Sequence, residues 1–261
     1  MTTFRGYILD LDGTVYRGDK LIPGADKVVA TLRKMGKKVV FLSNKPTETR
    51  ADYATKLMQL GVPADEDDVV NSSFAMAQYL AARSPGCRAY VIGEPPLVDE
   101  LRRAGVTVVD NPTGPEAPVD YVIIAFDRTF DYAKLNNALQ AVRLGARLLA
   151  TNADRTCPVE GGEIPDAAAM IGAVEGATGA KVELVIGKPN PIMLELACKR
   201  MGVCPHECLI VGDRLETDML MGKRAGMMTA LVLTGVTSGD QVEALSFRPD
   251  YVLDSIGDLL R

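Results

Sequence analysis

Short apolar runs alternate along this chain with segments in which apolar residues recur every three or four positions. YILD (7–10), KVVFLSN (38–44), ELVIG (183–187) and CLIVGD (208–213) are compact apolar runs ending in polar or glycine residues, the pattern of strands buried on both faces. Between them, residues 26–35 put Val28, Val29, Leu32 and Met35 on one helical face. Residues 47–60 do the same with Ala54, Leu57, Met58 and Leu60, with Thr47 as the expected cap and Gly61 as the stop. Strand and helix patterns in alternation predict an α/β fold, with a parallel sheet joined by crossover helices.

The middle of the chain repeats this pattern in AYVIG, VTVVD, DYVIIAF and RLLAT, enough strands for a second core. The flanking SPGCR and GATGAK carry the small and turn-forming residues of linkers. The expected organisation is therefore a discontinuous core domain, 1–78 and 179–261, with a smaller α/β domain, 79–178, inserted into it.

A length of 261 residues suits two such units, and 47% apolar with 24% charged residues supports well-buried cores. The net charge of −5 and the absence of any Lys/Arg run argue against nucleic acid and anionic membrane as partners, which leaves small ligands. No apolar run reaches the ~20 residues of a membrane span, and acidic residues appear early, so a cytoplasmic location is expected. Five sparse cysteines do not form a disulfide framework, and Cys204-Pro-His-Glu-Cys208 lacks the second cluster that a zinc site needs. His206 is the only histidine, which excludes mechanisms that use two.

The candidate chemistry lies at strand ends. Asp10-Leu11-Asp12-Gly13-Thr14 closes the first strand, at the edge where open α/β sheets bind ligands. Residues i and i+2 of an extended strand face the same way, so Asp10 and Asp12 can converge, and two close like charges call for a divalent cation such as Mg²⁺. Gly13 lets the backbone pass close to a bound anion. Gly212-Asp213-Arg214-Leu215-Glu216-Thr217-Asp218 follows another apolar run, so Asp213 can share the metal site while Asp218 supports it from one turn further on. Ser43-Asn44 ends a third strand, and Lys188 sits in the loop Gly187-Lys188-Pro189; both suit an anionic group.

At these four places the chain resembles the haloacid dehalogenase superfamily. The strings DLDGTVYRG, FLSNKPTETR, GKPNPIM and VGDRLETDMLMGKRAGM resemble its NagD-type branch, and TNADRTCP is similar to that branch's cap; the whole chain resembles the AraL-like sugar phosphatases. The resemblance implies a Rossmann-like core with an inserted cap of the C2 type. It implies Asp10 as the nucleophile that forms an aspartyl-phosphate, and Asp12 as the acid and base that serves the leaving group and then water. It assigns Mg²⁺ to Asp10, Asp213 and the main-chain carbonyl of Asp12, and the phosphate to Gly13, Ser43, Asn44 and Lys188. Asp218 would hold Lys188 or a metal-bound water, and Asn152, Asp154 and Arg155 of the cap would face the substrate. Asp127 and Arg128 fit less well, because the family's glycine before this acid is absent.

Cys208 and Arg214 have the Cys-x5-Arg spacing of thiolate phosphatases, but the intervening LIVGD reads as a strand and its end, not as a loop that curls around phosphate. A phosphomutase would carry its cap between the first two motifs. The remaining alternatives are a phosphatase for nucleotides or pyridoxal phosphate, and a non-catalytic sugar-phosphate-binding regulator. The modest aromatic content of 5% favours small phosphorylated metabolites such as sugar phosphates over flat ligands that need stacking. The resemblance also allows a homodimer joined through the cap.

Overall fold

A computed structural model describes residues 3–114, 118–159, 161–240 and 248–260. In chain order the strands are β1 (Gly6–Asp10), β2 (Tyr16–Arg17), β3 (Lys20–Leu21), β4 (Lys38–Ser43), β5 (Val69–Asn71), β6 (Arg88–Ile92), β7 (Thr107–Val108), β8 (Tyr121–Ile124), β9 (Arg147–Ala150), β10 (Thr156–Val159), β11 (Gly162–Pro165), β12 (Leu184–Val185), β13 (Cys208–Gly212), β14 (Met228–Val232) and β15 (Tyr251–Leu253). The α-helices are α1 (Ala25–Lys34), α2 (Arg50–Gln59), α3 (Ser72–Arg83), α4 (Pro95–Arg103), α5 (Tyr132–Arg143), α6 (Ala167–Thr178), α7 (Ile192–Met201) and α8 (Leu220–Arg224). The α/β character read from the sequence is present throughout.

The chain divides into two compact units, one comprising Met1–Ser43, Arg50–Val70 and Lys188–Arg261, the other Asn44–Thr49 and Asn71–Gly187. The first unit is built on a six-stranded sheet of order β15-β14-β13-β1-β4-β5. Its pairs β1/β13, β1/β4, β13/β14 and β14/β15 are parallel. Tyr7, Leu9, Phe41, Leu209 and Val211 of the sheet pack with Val28, Val29 and Leu32 of α1 and with Tyr53 and Leu57 of α2 in one buried cluster. The alternation of apolar residues along α1 places that face on the sheet and leaves Lys34 exposed at its end.

The second unit has a five-stranded parallel sheet of order β12-β9-β8-β6-β7 and a separate antiparallel pair, β10 and β11. Its own core includes Tyr90, Ile92, Val122, Ile124 and Leu148 against Ala138, Ala141, Met170 and Val174. ELVIG was expected in the first sheet, but β12 lies at an edge of the second, with Leu184 beside Leu149 and Val185 beside Ala150. The unit boundary therefore falls after Gly187 rather than at 178/179. At the other junction it falls after Val70 rather than at 78/79, because α3 packs with α4. Residues 47–49 are not helical either: α2 begins at Arg50, and Thr47 does not cap it.

Two helical glycines give opposite expectations. A Cβ on Gly222 of α8 would lie 2.6 Å from Cγ2 of both Ile210 and Thr229, so Gly222→Ala should destabilise the protein by about 1–3 kcal/mol through overpacking. Gly172 of α6 is exposed and a Cβ there meets nothing within 4 Å, so Gly172→Ala should stabilise by about 0.4–1 kcal/mol. Denaturant melts of the two variants against the parent check both signs.

Candidate active site

β1 lies at the centre of the first sheet, and the chain fills one side of it (β4, β5) before the other (β13, β14, β15). The carboxyl ends of β1 and β13 therefore flank the point where strand order reverses, which is where open α/β sheets hold ligands. Leu9 pairs with Val211 and Asp10 with Leu42, so Ser43 and Asp213 follow within a residue or two of the level of Asp10.

Carboxylate oxygens of Asp10, Asp213 and Asp218 lie within 4.8 Å of one another. Lys188, with 4% of its side chain exposed, donates from Nζ to Asp10 and stands 2.6 Å from Asp218 Oδ1. Asp218 comes from a π-helical turn, Leu215–Met219, and its Oδ2 accepts the Arg214 N–H at 3.2 Å, which folds the carboxylate back towards the strand end. Asp213 Oδ2 accepts the Val236 N–H at 2.7 Å, and Thr234 Oγ1 donates to the carbonyl of Gly13 at 2.7 Å. Gly13 has φ +92°, and a Cβ on Gly13 or Gly235 would lie 2.5 or 1.9 Å from Asp213 Oδ2. The backbone closes this tightly on Asp213 only because both residues lack a side chain.

The other expected residues fall around this cluster or apart from it. Asp12 is exposed, and its carboxylate is not one of the three grouped acids. Ser43 is buried at the end of β4 and donates from Oγ to the Tyr53 hydroxyl at 3.1 Å. Asn44 belongs to the second unit, where its Nδ2 donates to Asp154 Oδ2 at 2.8 Å. Asn152 is buried, and its Nδ2 donates to Asp154 Oδ2 at 2.9 Å and Asp166 Oδ1 at 3.0 Å; Arg155 is exposed. Asp127 is taken up by Lys134 and Thr129, and Arg128 by a two-pronged pair with Glu94.

Burial pushes the Asp10 carboxyl up to about 8, with Asp218 and Asp213 adding to the effect and the Lys188 charge opposing it. Asp213 is raised to about 6, again by burial first and then by Asp218. Burial works against the Lys188 ammonium, but Asp10 and Asp218 outweigh it and hold its pKa above the ordinary value. Three acids lie together in a buried space with one ammonium, which pairs with Asp10 and Asp218 but not with Asp213, so acidic groups are in excess. Hard oxygen donors with uncompensated charge suit a divalent cation of the Mg²⁺ kind, and the donor set fits it.

The thiolate alternative fails on geometry. Cys208 begins β13, at the end of the strand opposite Asp213, and its buried Sγ lies 3.9 Å from that of Cys198, which pushes its pKa up rather than down. Thr14, Tyr53, Thr234 and Val236 are parts of the site that were not singled out beforehand. Thr14, whose Oγ1 donates to Asp10 Oδ2 at 3.4 Å, was legible within the Asp10–Thr14 string. The small polar run after β14 was the signal for the other loop, because it ends a strand next to β13.

Sequence comparison matches residues 7–107 to a haloacid dehalogenase-like hydrolase profile and residues 185–259 to a second HAD-hydrolase-like profile. The chain is 48% identical to the sugar-phosphatase AraL of Bacillus subtilis over 256 residues, 98% of this chain and 92% of the relative. It superposes on a 4-nitrophenylphosphatase from Thermotoga maritima with a TM-score of 0.92 and 36% identity, over 99% of this chain and 97% of the other. It also matches a glycerol phosphate phosphatase from Mycobacterium tuberculosis solved in complex with magnesium, with a TM-score of 0.89 and 31% identity over 97% and 75% of the two chains. Among the described residues no helix is long and apolar enough to cross a membrane.

The charge balance of the site predicts a pH effect on stability. An unfolded aspartate titrates near 3.9 and folded Asp10 near 8, so between these values the native state holds a proton that the unfolded state lacks. Raising the pH through that window therefore removes stability. In chelator, Asp10→Asn should gain in melting temperature over the parent as the pH rises from about 4 to about 8. A gap that stays constant across the window would refute the assignment.

Proposed function

Because the chain belongs to the haloacid dehalogenase-like hydrolases, we infer that it is a phosphatase which transfers the phosphoryl group of small monoesters to Asp10 and then to water. The observation that carries this reading is the buried grouping of Asp10, Asp213 and Asp218 around Lys188 at the switch point of the sheet.

In the first step a carboxylate oxygen of Asp10 attacks phosphorus, the bond to the leaving oxygen breaks, and Asp12 gives that oxygen a proton. In the second step Asp12 takes a proton from water, the water oxygen attacks phosphorus, and phosphate and the Asp10 carboxylate are released. The exposed position of Asp12 suits this role, since it must exchange protons with the leaving group and with water. A general acid supplies only ~10²–10⁴ of a rate enhancement that for phosphate monoesters reaches ~10²¹, so charge placement has to provide much of the rest. Lys188 is the built-in cation for the phosphoryl oxygens, Asp218 orients it, and Ser43, Asn44 and the backbone at Gly13 complete the phosphate site. Asp10 and Asp213, with the main-chain carbonyl of Asp12, would hold Mg²⁺, which when bound neutralises the paired acids and the phosphate charge.

Sugar phosphates and related polyol phosphates are the substrate class best supported, by the similarity to AraL and by the low aromatic content. Such phosphorylated metabolites also support the expectation of a cytoplasmic enzyme. Asp10→Asn, fully folded by circular dichroism, should lose at least ~10⁴-fold in phosphate release at saturating Mg²⁺; near-normal turnover would end the nucleophile assignment. Phosphate release measured across sugar phosphates, glycerol phosphate, nucleotides, pyridoxal phosphate and nitrophenyl phosphate should favour the sugar phosphates. A strong preference for nucleotides or pyridoxal phosphate would overturn the substrate class.

A further inference from the structure

We propose that Asp154 is a positioning residue that holds Asn44, and with it the segment following Ser43, rather than a residue that touches the leaving group. This rests on the phosphatase reading above, in which Asn44 belongs to the phosphate site.

Asp154 Oδ2 accepts two amide N–H groups, from Asn44 at 2.8 Å and from Asn152 at 2.9 Å. The loop that carries it is fixed in turn. Thr151 Oγ1 donates to Asn152 Oδ1 at 3.0 Å, and Asn152 reaches Asp166, whose carboxylate caps the start of α6. The Ala168 N–H donates to the main-chain carbonyl of Asp154, and the Asp166 N–H to that of Arg155, each at 3.0 Å. One carboxylate is thus anchored to a helix start and directed at an amide 110 residues earlier in the chain.

Asn44 is held from the other sides as well. Its carbonyl accepts Ser72 Oγ at 2.6 Å, while Ser73 Oγ reaches the carbonyl of Pro46 at 3.3 Å and Asn71 Nδ2 that of Glu48 at 3.1 Å. Its Oδ1 lies 2.6 Å from where a Cβ on Gly187 would sit, and the Thr151 carbonyl lies 2.5 Å from the same point. Asn44 follows Ser43, and Gly187 precedes Lys188. The Asp154–Asn44 contact therefore fixes the neighbours in sequence of two phosphate-site residues. An aspartate suits this place because a carboxylate oxygen accepts both amides more strongly than the neutral carbonyl oxygen of an asparagine would.

The test uses the full-length protein with Asp154→Ala, Asp154→Asn, Asn44→Ala and the Asp154→Ala/Asn44→Ala double variant. Each is assayed on a sugar phosphate, glycerol phosphate and nitrophenyl phosphate. A positioning role predicts that Asp154→Ala lowers kcat/KM by about 10–100-fold, by the same factor for all three esters, because the phosphate is common to them. The double variant should be no worse than Asn44→Ala alone. The nearly isosteric Asp154→Asn should lose less and serves as the reading if the alanine variant does not fold. Amide hydrogen exchange of residues 44–49 should quicken in either Asp154 variant, whether or not the enzyme turns over. Losses that differ between esters by tenfold or more, multiplicative losses in the double variant, or unchanged exchange of 44–49 would each overturn the proposal. A parent protein inactive on every ester would overturn the phosphatase reading instead, and exchange would still decide the role of Asp154.

Discussion

One buried ammonium among three carboxylates sets the terms for everything around it. Lys188 binds Asp10 and approaches Asp218, with Asp213 close by, in a space from which water is largely excluded. Charges in such a place are costly unless paired, and here negative charge exceeds positive. The site is consequently frustrated in a useful way: burial and the neighbouring acids favour a proton on Asp10, which a divalent cation would displace. Stability has been given up locally to keep a nucleophile among groups that can stabilise the charge of the reaction.

The fold supplies the position at little further cost. Parallel strands bring Asp10, Ser43 and Asp213 to one edge, and the reversal of strand order beside β1 puts the loops that follow β1 and β13 where open α/β sheets bind ligands. Glycines at 13 and 235 let two loops close on Asp213, and the π-helical turn returns Asp218 to the same edge. Together they hold carboxylate oxygens within a few ångströms of one another.

Much of this was legible in the sequence because apolar runs and the polar residues that end them are local signals. Asp10, Ser43 and Asp213 stand at strand ends as read, and Lys188 lies in the loop expected of it. The features that were not legible depend on pairing between distant segments. ELVIG has the same composition as a core strand, and only its partner, β9, assigns it to the second sheet. Thr47 looked like a helix cap, but segment 44–49 is held by Asn71, Ser72 and Ser73 instead of entering the helix. Asn152 and Asp154 were expected to face the substrate, and the sequence carries no sign of the hydrogen bonds that each makes to a side chain far away along the chain.

In the proposed reaction phosphate passes through a covalent bond to Asp10. This step is tested most directly by acid-quenching the enzyme within milliseconds of mixing with Mg²⁺ and nitrophenyl phosphate, then mapping the phosphoryl group by peptide mass spectrometry. One phosphoryl group is expected, on the peptide containing Asp10 and fragmenting to that residue. A phosphoryl group on any other residue, or none in a reaction that inverts configuration at phosphorus, would contradict it.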